Sequence, residues 1–346
     1  MDYRKLGRSD IQVSEICLGS MTWGEQNSEA EGFEQLDTAL DQGVNFIDTA
    51  EMYAVPPRAE TYGRSEEIIG NWLHARGARD KVVLATKVSG PGARFPYIRD
   101  GKPKLDRANI EAAVEASLKR LKTDVIDLYQ LHWPARPMRI FGRLGYDHQD
   151  DGDATPIEET LAVLDDLVTA GKIRTIGLSN ETPWGVSRFL GLAAAGGGPR
   201  VVSNQNPYSF LNRSFETGLA EIAIREDCGL LAYAPLGAGT LTGKYLNGQA
   251  PAGARLTLFP ANTRYRGPQG EAAVAAYVKL ARDHGLEPAQ MALAFVLSRP
   301  FLTSAILGAT SVDQLKTDIA ATEVTLSQEV LDEIEAIHKV YTYPCP

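Results

Sequence analysis

Short apolar runs recur along the chain at 16–18, 44–47, 82–86, 125–131, 173–178, 201–204, 229–232 and 303–307. Between them lie longer segments with apolar residues at helical spacing, near 31–42, 65–75, 107–121, 156–170, 183–195, 215–226, 271–298 (broken at Pro288) and 311–321. Continuous apolar runs read as strands buried on both faces, and the periodic segments as helices that cover them. Eight alternations predict an α/β protein, a (β/α)8 barrel of the TIM type, because eight strands close around a lumen that side chains fill. An open doubly wound sheet is the competing arrangement.

The two ends add elements to this pattern. Tyr3 to Lys5 and Gln12-Val13 predict a short N-terminal β-hairpin, and apolar residues at Val330, Leu331, Ile334, Ile337 and Val340 predict an extra C-terminal helix over 327–341. Thr155-Pro156-Ile157-Glu158 reads as an N-cap, a proline at the first helical position and an acid in the first turn; Ser311 with Asp313-Gln314 starts a helix in the same manner. Ile110, Val114, Leu118 and Leu121 form one stripe that should face the barrel.

Composition narrows the class. A chain of 346 residues with 44% apolar composition suits a single barrel domain over 1–346 with elaborated loops. A net charge of −9 with scattered basic residues argues against nucleic-acid or anionic-membrane partners. The start shows no secretory signal and no run reaches membrane-spanning length, which predicts a cytoplasmic location. Cys17, Cys228 and Cys345 are too dispersed for a disulfide framework, and the five histidines form no zinc-binding pattern, so no metal is expected.

Each apolar run ends in a polar, glycine or aromatic residue: Gly19-Ser20, Asp48, Lys87, His132, Ser179-Asn180, Gln205, Tyr233 and Gly308 to Thr310. Taken singly, these have plain roles as turn formers, snorkelling lysines or core histidines. In a barrel, however, they converge on one face, where barrel enzymes keep their chemistry. Asp48 would hold Lys87 protonated, Lys87 would lower the pKa of Tyr53 toward working pH, and His132 would donate to a substrate carbonyl oxygen. That apparatus protonates an oxygen on which charge develops as hydride arrives at carbon, and no covalent nucleophile is evident, so the hydride must come from a cofactor. Ser179, Asn180 and Gln205 suit a nicotinamide carboxamide, Tyr233 offers a stacking face, and Gly308 to Thr310 before a helix suits an anion. Lys244 and Arg255 can clamp phosphate. The stretch from Leu236 to Tyr245 imitates both a dinucleotide fingerprint and a P-loop, but its glycine spacing fits neither.

With these residues the chain resembles the aldo-keto reductase superfamily. The resemblance rests on Asp48 to Tyr53, Thr86-Lys87, Leu131-His132-Trp133-Pro134, Ile176-Gly177-Leu178-Ser179-Asn180, Asn204-Gln205-Asn206-Pro207-Tyr208 and Gly239-Thr240-Leu241-Thr242-Gly243-Lys244-Tyr245. The segments from Glu51 to Arg58 and from Val340 to Pro344 are similar to the bacterial Tas-like branch, itself similar to potassium-channel β-subunits. The resemblance implies reduction of a small-molecule aldehyde or ketone by NADPH, with Tyr53 as acid, Lys87 and Asp48 tuning it and His132 orienting substrate. It also implies a cofactor groove of Gly19, Ser20, Asp48, Ser179, Asn180, Gln205, Tyr233, Leu236, Lys244, Arg255, Gly308, Thr310, Gln314 and Asp318, with Arg255 toward the adenosine end. The family usually has asparagine where this chain has Asp318; an acid there would repel a 2′-phosphate, which keeps NADH as an alternative cofactor.

Trp23, Met52, Trp133, Tyr208 and Phe210 are candidates for a substrate pocket, or equally for loop anchors, and 135–154 with Arg136, Arg139, Phe141 and Tyr146 for a lid. Two other readings stand beside the reductase: an NADPH-binding redox sensor or regulatory partner protein with little turnover, and a lyase using Lys87 as a Schiff base, which Asp48 opposes. Oligomeric state and the natural substrate are not specified by these residues.

Overall fold

The structure is a computed structural model that describes residues 1–92, 95–138 and 142–346. A two-stranded antiparallel hairpin, β1 (Tyr3–Lys5) and β2 (Gln12–Ser14), precedes eight parallel strands. These are β3 (Ile16–Gly19), β4 (Phe46–Asp48), β5 (Val83–Val88), β6 (Ile126–Leu131), β7 (Ile173–Ser179), β8 (Val201–Pro207), β9 (Gly229–Tyr233) and β10 (Leu302–Leu307). They pair in chain order and close through β10 against β3, which makes the sheet a (β/α)8 barrel rather than an open one. The helices are α1 (Glu29–Asp41), α2 (Arg64–Arg76), α3 (Arg107–Leu121), α4 (Ile157–Thr169), α5 (Pro183–Ala194), α6 (Leu219–Arg225), α7 (Arg255–Leu258), α8 (Pro268–Asp283), α9 (Pro288–Leu297), α10 (Val312–Ile319) and α11 (Gln328–Val340).

Local sequence explains the breaks. Pro288 splits the apolar run 271–298: it occupies the first turn of α9, where its missing N–H costs nothing, and Glu287 caps that turn by accepting from the Gln290 N–H. Ser311 caps α10 as expected. The expected cap at Thr155 is corrected: Pro156 itself stands at the N-cap of α4 with no side-chain cap bond, and the helix begins at Ile157. The segment 215–226 is also shorter than expected, a 3-10 turn (Ser214–Thr217) followed by α6. On α3 the stripe buries Ile110, Val114 and Leu121 against the barrel, with Leu118 half-buried at its edge. Each such fully buried aliphatic side chain stabilises the fold by about 1.5–3 kcal/mol.

The lumen is layered. Cys17, Phe46, Ala85, Leu128, Val202, Leu231 and Ile306 form its lower layer, and Leu6, Ile11 and Val13 of the hairpin pack beneath them as a floor. Gly7, at φ +60°, makes this fit possible, since a Cβ there would lie 2.7 Å from the Val202 carbonyl oxygen. Arg4 fastens the hairpin through Glu15 and the carbonyls of Leu297 and Leu302. Side chains repeat every second residue along a strand, so the layer above Phe46, Ala85 and Leu128 consists of Asp48, Lys87 and Gln130.

At the other end of the chain, α11 buries Val330 and Ile334 while Val340 is 72% exposed. The tail returns to the barrel, where the Cys345 N–H donates to the Leu211 carbonyl and Arg264 to that of Pro346. Cys17, Cys228 and Cys345 are buried free thiols. Among the described residues no helix is long and apolar enough to cross a membrane, and no cluster of three metal-ligating side chains occurs.

Candidate active site

Because the barrel strands are parallel, their C-terminal ends open on one mouth, and Asp48, Lys87, His132, Ser179, Asn180, Gln205 and Tyr233 stand there together. Lys87 is fully buried, a placement that a cation tolerates only with its donors satisfied. Its Nζ lies 2.6 Å from Asp48 Oδ2, 2.7 Å from the Thr49 carbonyl and 3.5 Å from the Tyr53 hydroxyl, so its three donors have three partners. Burial alone pulls the ammonium's pKa down, but Asp48 and Tyr53 outweigh it and hold Lys87 above the ordinary lysine value. On its other oxygen, Asp48 Oδ1 accepts from Gln130 Nε2 at 3.0 Å and from Gln205 Nε2 at 2.9 Å.

Tyr53 departs from expectation. Its enclosure raises the phenol's pKa, Lys87 lowers it only in part, and Asp48 adds to the rise, so the net shift is upward and not toward neutrality. The hydroxyl therefore keeps its proton, as a donor must. His132 sits edge-on to the Tyr53 ring at 5.7 Å, and burial together with the Lys87 charge pushes its pKa well below the usual histidine value. The imidazole is thus neutral, with one nitrogen to donate. Asn180, in the left-handed region at φ 56°, anchors the loop: its Nδ2 donates to the His132 carbonyl at 2.9 Å, and its Oδ1 accepts from the Tyr233 hydroxyl at 2.7 Å.

The other groove residues have mixed surroundings. Ser20 is buried and donates to the Asp48 carbonyl, while a Cβ at Gly19 would meet Ile306 at 2.8 Å, so both serve packing as well. Arg255 stands beside Met21 and near enough to Tyr53 to act on its charge; its Nη1 is buried with no hydrogen-bond partner among the described residues. Burial lowers the pKa of both Arg255 and Lys244, and for Lys244 Asp318 works in the opposite direction. Thr310 and Gln314 bond to each other at the start of α10, Gly308 faces open space, and Leu236 packs half-buried on the core.

The aromatic candidates separate. Trp23 is fully buried, its indole N–H on Gln35; Tyr208 is fully buried, donating to Glu216; and Phe210 stacks on Tyr277 at 4.3 Å. All three are enclosed, and they serve as core anchors rather than walls of an open pocket. Trp133 remains at the mouth, 5.0 Å from the His132 ring and bonded to the Pro91 carbonyl, with Met52 and Phe95 beside it. It also lines a cavity of about 570 Å³ with Arg136, Glu181, Trp184 and Phe189. Arg136 is paired with Glu181 and Tyr146 is 84% exposed, whereas Arg139 and Phe141 lie outside the described residues.

Two features escaped the sequence reading. Gln130, fully buried inside β6, is an amide within a largely apolar run, and a period of two from Leu128 would have aimed it at the lumen. Glu51, two residues before Tyr53, is fully enclosed and accepts two bonds from Arg99, one from Tyr62 and one from the Ser89 N–H. It rivets the Tyr53 loop to the loop after β5, and nothing in one chain links Glu51 to an arginine so distant in sequence.

The likeness of this chain to known proteins extends along most of its length. The sequence profile of the "Aldo/keto reductase family" matches residues 15–339. Protein tas of Escherichia coli is 56% identical over 346 residues, all of both chains. The uncharacterized oxidoreductase YrpG of Bacillus subtilis is 35% identical over 96% of this chain and 94% of its own, and a probable voltage-gated potassium channel subunit beta of Arabidopsis thaliana is 30% identical over 97% and 96%. A barrel closed by eight strands, an ammonium held between a carboxylate and a phenol at its mouth, and a profile match along most of its length make this chain a member of the aldo/keto reductase family, an NAD(P)H-dependent oxidoreductase acting on carbonyl compounds.

Proposed function

We propose that this protein reduces an aldehyde or ketone to the alcohol with NADPH, Tyr53 supplying the proton. The observation that carries the reading is the buried Lys87 cation, placed between Asp48 and the Tyr53 hydroxyl with every donor committed. Negative charge that develops on a carbonyl oxygen beside Tyr53 is stabilised by this fixed cation without solvent reorganisation. Tyr53 holds the proton to be transferred at Oη, and neutral His132 donates a hydrogen bond that orients the carbonyl. Trp133 and Met52 exclude water from the same side.

The residues present fit a nicotinamide dinucleotide phosphate. Arg255 has an orphaned guanidinium nitrogen, and burial opposes the charge of both Arg255 and Lys244, so each gains from an anion. Both hydrogens of Gln205 Nε2 are taken by Asp48 and Gln130, while among the described residues its Oε1 accepts none, which suits a carboxamide N–H₂. When bound, the reduced cofactor supplies the hydride. Thr310, Gln314 and the Tyr233 ring complete the groove proposed to hold it.

NADPH consumption on a panel of aldehydes and ketones, run beside cofactor binding for wild type and Tyr53→Phe, tests the reading. Turnover in wild type, reduced about 10²–10⁴-fold in the variant with NADPH binding retained, is expected for loss of a general acid. Equal turnover in both would remove Tyr53 from the role. Binding without turnover in either would point to a regulatory protein instead.

A further inference from the structure

Gln130 lies at the point where the acid machinery and the proposed cofactor groove meet. Its Nε2 donates to Asp48 Oδ1 at 3.0 Å, its Oε1 accepts from Gln205 Nε2 at 3.0 Å, and Gln205 closes the triangle on the same Asp48 oxygen at 2.9 Å. The three side chains come from β4, β6 and β8, so the triangle braces the lumen across three strands. All three are buried, Gln130 fully. The neighbouring strand leaves it room: a Cβ at Gly177 would lie 3.3 Å from Gln130 Cγ and 2.7 Å from Ser203 Oγ.

A carboxamide has two faces that differ only in which end donates, and its surroundings decide between them. Here a carboxylate oxygen demands the N–H₂ of both glutamines. Gln130, having turned its N–H₂ to Asp48, can offer Gln205 only an acceptor, and this occupies the second hydrogen of Gln205 Nε2. Gln205 is left with its oxygen outward. We propose that Gln130 is a positioning residue that fixes Gln205 as an acceptor toward the nicotinamide carboxamide and, through Asp48, keeps Lys87 aligned under Tyr53.

This inference rests on the reductase reading, and its test separates the two. Gln130→Met keeps the length of the side chain and removes both polar atoms. The readout is binding of NADP⁺ against its 3-acetylpyridine analogue, which keeps the ring carbonyl but carries a methyl group in place of the N–H₂. Wild type should prefer NADP⁺ by about tenfold, the worth of one hydrogen bond. In Gln130→Met the preference should fall toward one, because Gln205 Nε2 keeps only its bond to Asp48 and its oxygen is no longer locked in one direction, and kcat should drop about 10–100-fold as the cation loses alignment.

Gln205→Met should erase the same preference, and the double variant should be no worse than the poorer single one, since the two amides act as a unit. A change in packing alone would weaken both nucleotides equally and leave their ratio intact. If Gln130→Met does not fold, Gln130→Asn keeps an amide in the lumen but is one methylene too short to span both partners, and it should lose the preference too. Wild-type binding and turnover with an unchanged ratio and kcat in the folded Gln130 variant would overturn the positioning role and leave the reductase reading standing. Failure of wild type to bind either nucleotide would overturn both.

Discussion

Asp318, on α10, is 8% exposed, and its carboxyl is raised to about 7 because burial and nearby Glu287 disfavour its charge while Lys244 offsets them only in part. Replacing it with asparagine keeps the shape and removes the ionisation. In the unfolded chain this carboxyl ionises near 3.8, so between that pH and about 7 the folded state holds a proton that the unfolded state has lost. Stability contributed by this group therefore falls as pH rises through that window and levels off above it. A displacement of about three pKa units, at about 1.4 kcal/mol each, amounts to about 4 kcal/mol. Asp318→Asn should thus be more stable than wild type by under about 1.5 kcal/mol near pH 4.5 and by about 4 kcal/mol near pH 8.5. Urea unfolding of both proteins at the two pH values measures this directly, because other carboxylates cancel in the difference. An equal gap at both pH values, or a less stable variant at high pH, would refute the argument.

Three further outcomes follow from the same contacts. Lys87→Met leaves Asp48 buried without its cation and should cost about 3–5 kcal/mol in chemical denaturation while abolishing carbonyl reduction. Arg99→Met strips Glu51 of a two-bond partner beneath the Tyr53 loop; a fall in kcat larger than any change in NADPH affinity is expected, and an unaltered kcat would deny Glu51 a part in holding that loop. Trp23→Ala and Trp133→Ala should separate cleanly: the first lowers stability by about 3–5 kcal/mol as a core truncation, whereas the second acts mainly on KM for the carbonyl substrate.

The barrel was legible because parallel strands covered on both faces leave largely apolar runs, and the polar residues ending those runs marked the mouth. What the linear pattern could not supply was depth. Trp23, Tyr208 and Trp133 look alike in sequence, and only packing shows that the first two are enclosed and the third is not. The same gap explains the Tyr53 pKa: the proximity of Lys87 was inferable, but the extent of desolvation that overrides it was not. Gln130 was hidden for a different reason: it stands inside a strand, between Tyr129 and Leu131, whereas the polar residues that marked the mouth are those at strand ends. Thr155 failed as a cap because Pro156 took the position itself.

The hairpin floor has a consequence for traffic. With Leu6, Ile11 and Val13 wedged beneath the lowest ring of lumen side chains, that end of the packed barrel is stoppered, and the mouth where Asp48, Lys87 and His132 stand is the face left for ligands. Whatever enters must leave by the way it came. Entry and exit share one side of the molecule, so a change to the loops around the mouth bears on both at once.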